Sequence, residues 1–222
     1  MPYDLDDATA HLAAADPAMA SLIAFAGPCR LVIGGMDSPF QSLLRAIVYQ
    51  QLSGKAAGKI HRRLLDLFPG EHPDPDEILD TPLADLRSVG LSNAKAAAAH
   101  DLAARTLDGT VPDLGALEAM TDAEIVERLT AVRGVGPWTV EMLLIFQLGR
   151  PDVLPVTDLG VRKGAARLFG LDDLPAPKEL RTAGEAWRPY RSVASWYLWR
   201  AADTDEWFAP APRKKISRPR LR

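Results

Sequence analysis

The sequence lacks the features that would place it in several common protein classes. It has one cysteine among 222 residues, Cys29, which excludes a disulfide framework and any cluster that needs several thiolates. It has no apolar run long enough to cross a membrane, and its polar opening Met1-Pro2-Tyr3-Asp4 does not resemble a signal peptide. We therefore expect a cytoplasmic protein without a targeting segment. An extended stretch is indicated only at Cys29–Gly35, so the predicted fold class is all-α.

Clusters of metal ligands and an excess of positive charge are missing as well. The four histidines have no ligand spacing with one another or with Cys29, so we predict no zinc site. The net charge of −3 does not indicate a nucleic-acid-binding protein. Six basic residues are, however, concentrated in residues 213–222, with no acid after Glu206. Such a tail can attract phosphate or form a disordered, solubilising end, and we favour the second interpretation.

Helix starts are abundant in the sequence. Ser53 and Ser92 each precede a run with helical spacing of apolar residues, and Thr121 with Glu124 forms a capping-box signature. A capping residue is followed by proline, which suits the first helical position, at four further places: Asp16-Pro17, Ser38-Pro39, Asp74-Pro75 and Thr81-Pro82.

The stretch Leu129–Thr139 predicts two helices joined by a glycine hairpin. Gly134 and Gly136 permit a tight turn because glycine takes positive φ without steric cost, and Pro137 suits the start of the second helix. Amides at such a helix N-terminus can receive a phosphate oxygen. From the two glycines alone, an ordinary αα-hairpin in a protein core would be the better interpretation. The acidic residue Asp158, which follows the second helix, instead favours a hairpin with a function.

Three segments in order resemble the helix-hairpin-helix DNA glycosylases, and specifically the 3-methyladenine DNA glycosylase II type, which repairs alkylated bases. The first is Arg45–Ser53, which is similar to the family's pocket and wedge segment. The second is Val132–Thr139 followed by Asp158 within Leu154–Arg162. The third is Trp196–Trp199, which is similar to the closing aromatic helix.

The resemblance implies one glycosylase unit over residues 1–212, built from two helical lobes with the active site in the cleft between them. Residues 38–148 would form the lobe that bears the hairpin, and residues 1–37 with 149–212 would form the other. It further implies a monomer that binds double-stranded DNA containing alkylated bases. The single cysteine rules out the iron–sulfur cluster of endonuclease-III-type relatives.

Asp158 is the predicted catalytic residue. An aspartate at this place is also a natural N-cap, and the two roles are compatible because helix N-terminal amides favour an ionised carboxylate. A fixed carboxylate stabilises the positive charge that develops on the sugar, and it can orient or deprotonate the attacking water. A base alkylated on a ring nitrogen is often cationic already and leaves as a neutral molecule, so no separate general acid is needed.

The resemblance assigns the remaining site residues by position. It implies a substrate pocket lined by Trp138, Trp199, Gln50, Tyr49 and Met142. For DNA binding it implies Gly134, Val135, Gly136, Thr139, Gln51, Leu52 and Ser53, with Gln51 or Leu52 as the wedge. The main-chain carbonyls of Thr130, Val132 and Val135 would hold a monovalent cation, Na⁺ or K⁺, and no other cofactor is expected.

The predicted function is therefore monofunctional hydrolysis of the N-glycosidic bond of 3-methyladenine and 7-methylguanine, with 1-methyladenine as a further candidate. Bifunctional relatives carry a Schiff-base lysine where this sequence has Trp138, which argues against an oxidised-base glycosylase/lyase. The alternative from another class is a catalytically silent helix-hairpin-helix DNA-binding module, against which Asp158 argues.

Overall fold

A computed structural model describes residues 3–35 and 38–204, and these residues form helices joined by loops. Within these ranges there is no strand, which confirms the all-α class. The basic tail at residues 213–222 lies outside the described residues.

In chain order the helices are α1 Leu5–Ala15, α2 Pro17–Ala26, α3 Pro39–Tyr49, α4 Gly54–Leu65, α5 Pro75–Asp80, α6 Leu83–Ser88, α7 Asn93–Leu107, α8 Leu114–Ala119, α9 Asp122–Leu129, α10 Pro137–Phe146, α11 Leu159–Phe169, α12 Pro177–Ala183, a 3₁₀ helix Gly184–Trp187 and α13 Arg191–Asp203.

Most predicted helix starts are confirmed by cap geometry. The hydroxyls of Ser53 and Ser92 accept the third amide of α4 and α7, and Thr121 with Glu124 forms the expected capping box of α9. The prediction at Thr81-Pro82 is wrong in one detail. Helix α6 begins at Leu83 with Pro82 as its N-cap, because the Thr81 amide and hydroxyl both donate to Glu77 O and so complete the preceding helix.

The described residues group into two compact units. One, which we call the hairpin unit, runs from Gly35 to Leu143. The other, the Asp158 unit, combines the residues up to Gly34 with those from Leu144 onward. The lobe boundaries expected from the sequence, residues 38 and 148, lie close to these limits. No helix in the described ranges has the length and hydrophobicity required to cross a bilayer.

The Asp158 unit has an apolar core that gathers side chains from both ends of the chain. Helices α1 and α2 contribute Leu12 and Met19, and the C-terminal part contributes Trp187 and Tyr197, all of them fully buried. The Trp187 indole donates to the buried Asp16 carboxylate at 3.2 Å, and the Tyr197 hydroxyl donates to Gly27 O at 3.0 Å, so both large aromatics have satisfied polar atoms. The core thereby joins the N-terminal helices to α11 and α13.

The hairpin unit is organised around the buried helix α7. Its alanine-rich sequence lets neighbouring helices approach closely, and its side chains Ala99 and Leu102 are fully buried. Helices α3, α5 and α9 contribute further buried apolar side chains: Leu43, Leu44, Ile47, Val48, Ile78, Ile125 and Leu129.

Candidate active site

Asp158 caps the N-terminus of α11, as the sequence predicts. Its Oδ1 accepts the Val161 amide at 2.8 Å, which fixes the carboxylate over the first turn of the helix. The same oxygen accepts the indole N–H of Trp199 at 2.8 Å. Two donors from different helices therefore orient this carboxylate.

Trp199 is held in place by packing as well as by its hydrogen bond. Its ring stacks on Phe146, with the ring centroids 5.6 Å apart and the planes 27° apart. A methyl group at Gly160 would lie 2.7 Å from the Trp199 ring and 3.1 Å from Asp158 Oδ1. Gly160 is therefore required by the close approach of the indole to the start of α11.

Helices α11 and α13 touch backbone to backbone at Gly164, in the middle of α11. A Cβ at Gly164 would lie 1.9 Å from the carbonyl oxygen of Leu198. No side chain can occupy that space without moving one of the two helices. Leu198 directly precedes Trp199 in the chain. The contact between Leu198 and Gly164 therefore restricts where the Trp199 indole can lie relative to Asp158.

The loop that leads to Asp158 is tied to the start of α13. Arg191 Nε donates to Asp152 Oδ1 at 2.6 Å, and Arg188 Nη1 donates to Oδ2 at 2.5 Å. The Ser192 hydroxyl donates to Arg150 O at 2.6 Å and accepts the Val153 amide at 3.0 Å. These bonds anchor the backbone ahead of the candidate catalytic residue at the helix that carries Trp199.

In the hairpin, Gly134 and Gly136 play different roles. Gly134 has φ +76°, the left-handed conformation expected for the turn, and the Val135 amide donates to Val132 O at 3.0 Å. Gly136 is not left-handed; its carbonyl instead accepts the amides of Thr139 and Val140 and so begins α10. In the described part of the chain neither glycine amide has a protein acceptor. Only Gly134 therefore uses the positive φ that glycine permits, whereas both amides are available to a ligand.

The predicted wedge segment Gln50–Ser53 is an exposed loop between α3 and α4. Gln51 has φ +56°, an unfavourable value for a residue with a side chain, and Leu52 is 41% exposed. The Gln50 carboxamide donates to Gly134 O at 2.9 Å. In this structure the Gln50 side chain therefore contacts the hairpin backbone.

The Tyr49 ring already contacts two neighbouring side chains. The Arg45 guanidinium lies 4.4 Å from the centre of its ring, and the His61 ring meets it edge-on at 6.0 Å. Burial, together with the Arg45 charge, lowers the pKa of His61 and so favours the neutral imidazole beside the guanidinium. The ring face that Arg45 covers is closed to stacking by a base.

The start of α10 presents Trp138 to solvent. Its side chain is 45% exposed, a large value for a tryptophan, while Met142, one turn later, is half-buried. Thr139, a predicted DNA-binding residue, is only 7% exposed, so little of its side chain is accessible.

Val132 and Val135 are buried, and the Val132 carbonyl already accepts the Val135 amide. A ligand set made only of main-chain carbonyls would be neutral, so it would suit a monovalent cation better than a divalent one. Among residues 3–35 and 38–204 no three His, Cys, Asp or Glu side chains come together as a metal site.

Several residues that shape the site were not predicted from the sequence. Gly160 and Gly164 stand four residues apart on one face of α11, and that spacing could have indicated a close helix contact. Lys95 and Asp101 had no sequence signal, since each acts on a segment more than thirty residues away in sequence.

Comparisons with known proteins place these features in a family. The family model described as HhH-GPD superfamily base excision DNA repair protein matches residues 44–189. "DNA-3-methyladenine glycosylase 1" of Schizosaccharomyces pombe is 37% identical over 178 residues, which cover 80% of this chain and 78% of the relative. The structure of S. pombe 3-methyladenine DNA glycosylase in complex with abasic DNA is 34% identical with a TM-score of 0.78, over 90% of this chain and 98% of that chain. A DNA-3-methyladenine glycosidase structure from Bacillus halodurans is 37% identical with a TM-score of 0.81, over 89% of each chain.

Proposed function

Because the chain belongs to the HhH-GPD superfamily of base excision DNA repair proteins, we propose that it is a monofunctional DNA glycosylase for alkylated bases. Its substrates would be duplexes that contain 3-methyladenine or 7-methylguanine, with 1-methyladenine as a further candidate, and its product an abasic site. The names of the S. pombe and B. halodurans relatives support the substrate class. We further propose that the protein acts as a monomer on cytoplasmic DNA.

The observation that carries this proposal is the geometry of Asp158. Because the Val161 amide and the Trp199 indole both donate to Oδ1, the carboxylate is oriented before substrate binds. In the reaction the bond between C1′ and the base nitrogen breaks, and its electron pair neutralises the alkylated ring. A water oxygen then bonds to C1′, and its proton passes to the Asp158 carboxylate.

Trp138 supports hydrolysis rather than lyase chemistry. It stands where bifunctional relatives carry the lysine that attacks the sugar, and an indole cannot form a Schiff base. The exposed Trp138 and the half-buried Trp199 would instead attract a cationic base.

The hairpin and the wedge segment supply the proposed DNA contacts. The amides of Gly134 and Gly136, at the start of α10, would receive a phosphate oxygen, which positions the duplex without reading its sequence. A monovalent cation held by the carbonyls of Thr130, Val132 and Val135 would add positive charge at that phosphate. Leu52, exposed at the tip of the loop, is the more suitable wedge because an apolar side chain can replace a base in the stack.

The test is base release from a panel of duplexes, each with one defined lesion, assayed with and without alkali. We expect strand cleavage at alkylated bases only after alkali, because the enzyme leaves an intact abasic site. Borohydride should trap no covalent adduct. A trapped adduct, or cleavage without alkali, would identify a lyase, and the absence of base release from every lesion would identify a silent DNA-binding module.

A further inference from the structure

Helix α7 contacts both DNA-facing elements of the hairpin unit. We use "wedge loop" for Gln50–Ser53 and "hairpin" for Thr130–Gly136. The face of α7 that carries Lys95, Ala98 and Asp101 meets the wedge loop at one end and the hairpin at the other. The i, i+3, i+6 spacing places these residues along one side of the helix.

At one end of this face of α7, Lys95 makes hydrogen bonds to the wedge loop and to the end of α3. Its ammonium donates to Val48 O at 2.8 Å and to Gln50 O at 2.7 Å. These are carbonyls at the C-terminus of α3, where a helix leaves acceptors without partners and where a cation also complements the helix dipole. Partial burial lowers the pKa of Lys95, as expected for an ammonium group that exchanges water for protein acceptors.

The wedge loop needs such support because its backbone is strained. Gln51 is left-handed at φ +56°, a conformation that glycine would adopt freely and glutamine adopts only when its surroundings impose it. The Lys95 bonds fix the carbonyls on the N-terminal side of Gln51, and the Ser53 cap of α4 fixes the other side. The exposed Leu52 lies between these two anchors.

At the other end of this face of α7, Asp101 accepts a hydrogen bond from the hairpin backbone. Its Oδ2 accepts the Arg133 amide at 2.7 Å and is also paired with Arg105 Nε at 3.0 Å. Ala98 lies directly beneath the turn, 3.6 Å from where a Cβ of Gly134 would stand. The bond from Gln50 Nε2 to Gly134 O then joins the wedge loop to the hairpin directly.

We propose that Lys95 is a positioning residue for base flipping: its two hydrogen bonds set the wedge loop against the hairpin, so that Leu52 enters the base stack when the hairpin holds the backbone. This inference rests on the proposed function. Without Lys95 the hairpin amides are unchanged and phosphate binding persists, but Leu52 is no longer held where it can fill the vacated stack.

The test uses the full chain and a duplex with an abasic-site analogue flanked by 2-aminopurine, whose fluorescence rises when it is unstacked. Lys95→Met keeps the length of the side chain but removes all donors, and Lys95→Arg retains donors. Lys178→Met removes one charge from the exposed surface of α12 and serves as the control. At saturating protein we expect Lys95→Met to lose most of the fluorescence rise, with Kd changed less than about threefold, and to release 7-methylguanine about tenfold more slowly. Lys95→Arg should recover a large part of both signals.

A Lys95→Met variant that unstacks the probe like the unaltered protein overturns the proposal. A variant that loses DNA binding and thermal stability together also overturns it, because Lys95 would then support the fold alone. Since the fluorescence measurement needs no base release, it remains decisive even if the proposed glycosylase activity fails its own test.

Discussion

The two units hold their functional groups in different ways. In the Asp158 unit the carboxylate stands on a packed scaffold, where Gly164 meets the backbone of Leu198 and leaves no space for a single methyl group. In the hairpin unit the functional elements are exposed turns, held by individual hydrogen bonds from Lys95, Asp101 and Gln50.

This difference fits the role that we propose for each unit. A group that stabilises a transition state must be fixed to a fraction of an ångström, and close packing of helices provides that rigidity. Elements that bind a backbone must present unpaired amides and an apolar tip to solvent, which close packing would bury. The Asp158 unit should therefore be sensitive to added volume, and the hairpin unit to lost hydrogen bonds or changed backbone angles.

The largest effect is expected at Asp158 itself. Asp158→Asn retains a side-chain oxygen for the Val161 amide, so the N-cap and the fold should persist. The negative charge is lost, and we expect base release to fall at least about a hundredfold, whereas Kd for an abasic-site analogue stays nearly constant because phosphate contacts dominate affinity. Single-turnover excision and a binding titration measure the two quantities. Excision near the unaltered rate would remove Asp158 from the catalytic role.

The second effect tests the packed scaffold directly. Gly164→Ala places a methyl group 1.9 Å from Leu198 O, so α11 and α13 must separate. We expect the free energy of unfolding in urea to fall by about 3 kcal/mol. Gly54→Ala is the matched control, since a Cβ there has no neighbour within 4 Å and alanine favours the helix. Equal stability of the two variants would contradict the backbone contact.

The contrast also explains which features the sequence could reveal. Ser53, Thr121 and Asp158 were predicted as caps because a cap bonds an amide within three residues of itself. The bond between Trp199 and Asp158 spans 41 positions, and that between Lys95 and Gln50 spans 45. Neither leaves a local pattern, so only the folded chain, or a family resemblance in the case of Trp199, brings the partners together.

The backbone angles of the turns were only partly predictable. Glycine indicates where a positive φ is permitted, and it does not indicate where one is used: Gly134 is left-handed and Gly136 is not. Gln51 is left-handed without any such signal, because the constraint comes from bonds that Lys95 and Ser53 make around it.

The two hairpin glycines give a matched pair of smaller effects. Gly134→Ala forces a side chain into a left-handed conformation and should lower the free energy of unfolding by about 1 kcal/mol and weaken DNA binding. At Gly136 the backbone φ is not positive, and an added Cβ would have no neighbour within 4 Å. Gly136→Ala should therefore leave the stability unchanged. Its binding should still weaken if phosphate approaches the backbone there. Urea unfolding and a titration with undamaged duplex compare them, and unchanged binding in Gly136→Ala would exclude that approach.

The smallest effect concerns selectivity, at the half-buried Met142 one turn after Trp138. Methionine is flexible and polarisable, and it can pack against bases of different shape. We therefore predict a permissive pocket that selects by charge and weak glycosidic bonds more than by hydrogen bonds. Met142→Tyr should narrow the range of lesions, measured as relative release rates of 3-methyladenine, 7-methylguanine and 1-methyladenine. Met142→Leu, which conserves volume, should leave those ratios unchanged. If Met142→Tyr also leaves them unchanged, Met142 serves only core packing and the permissive pocket is excluded.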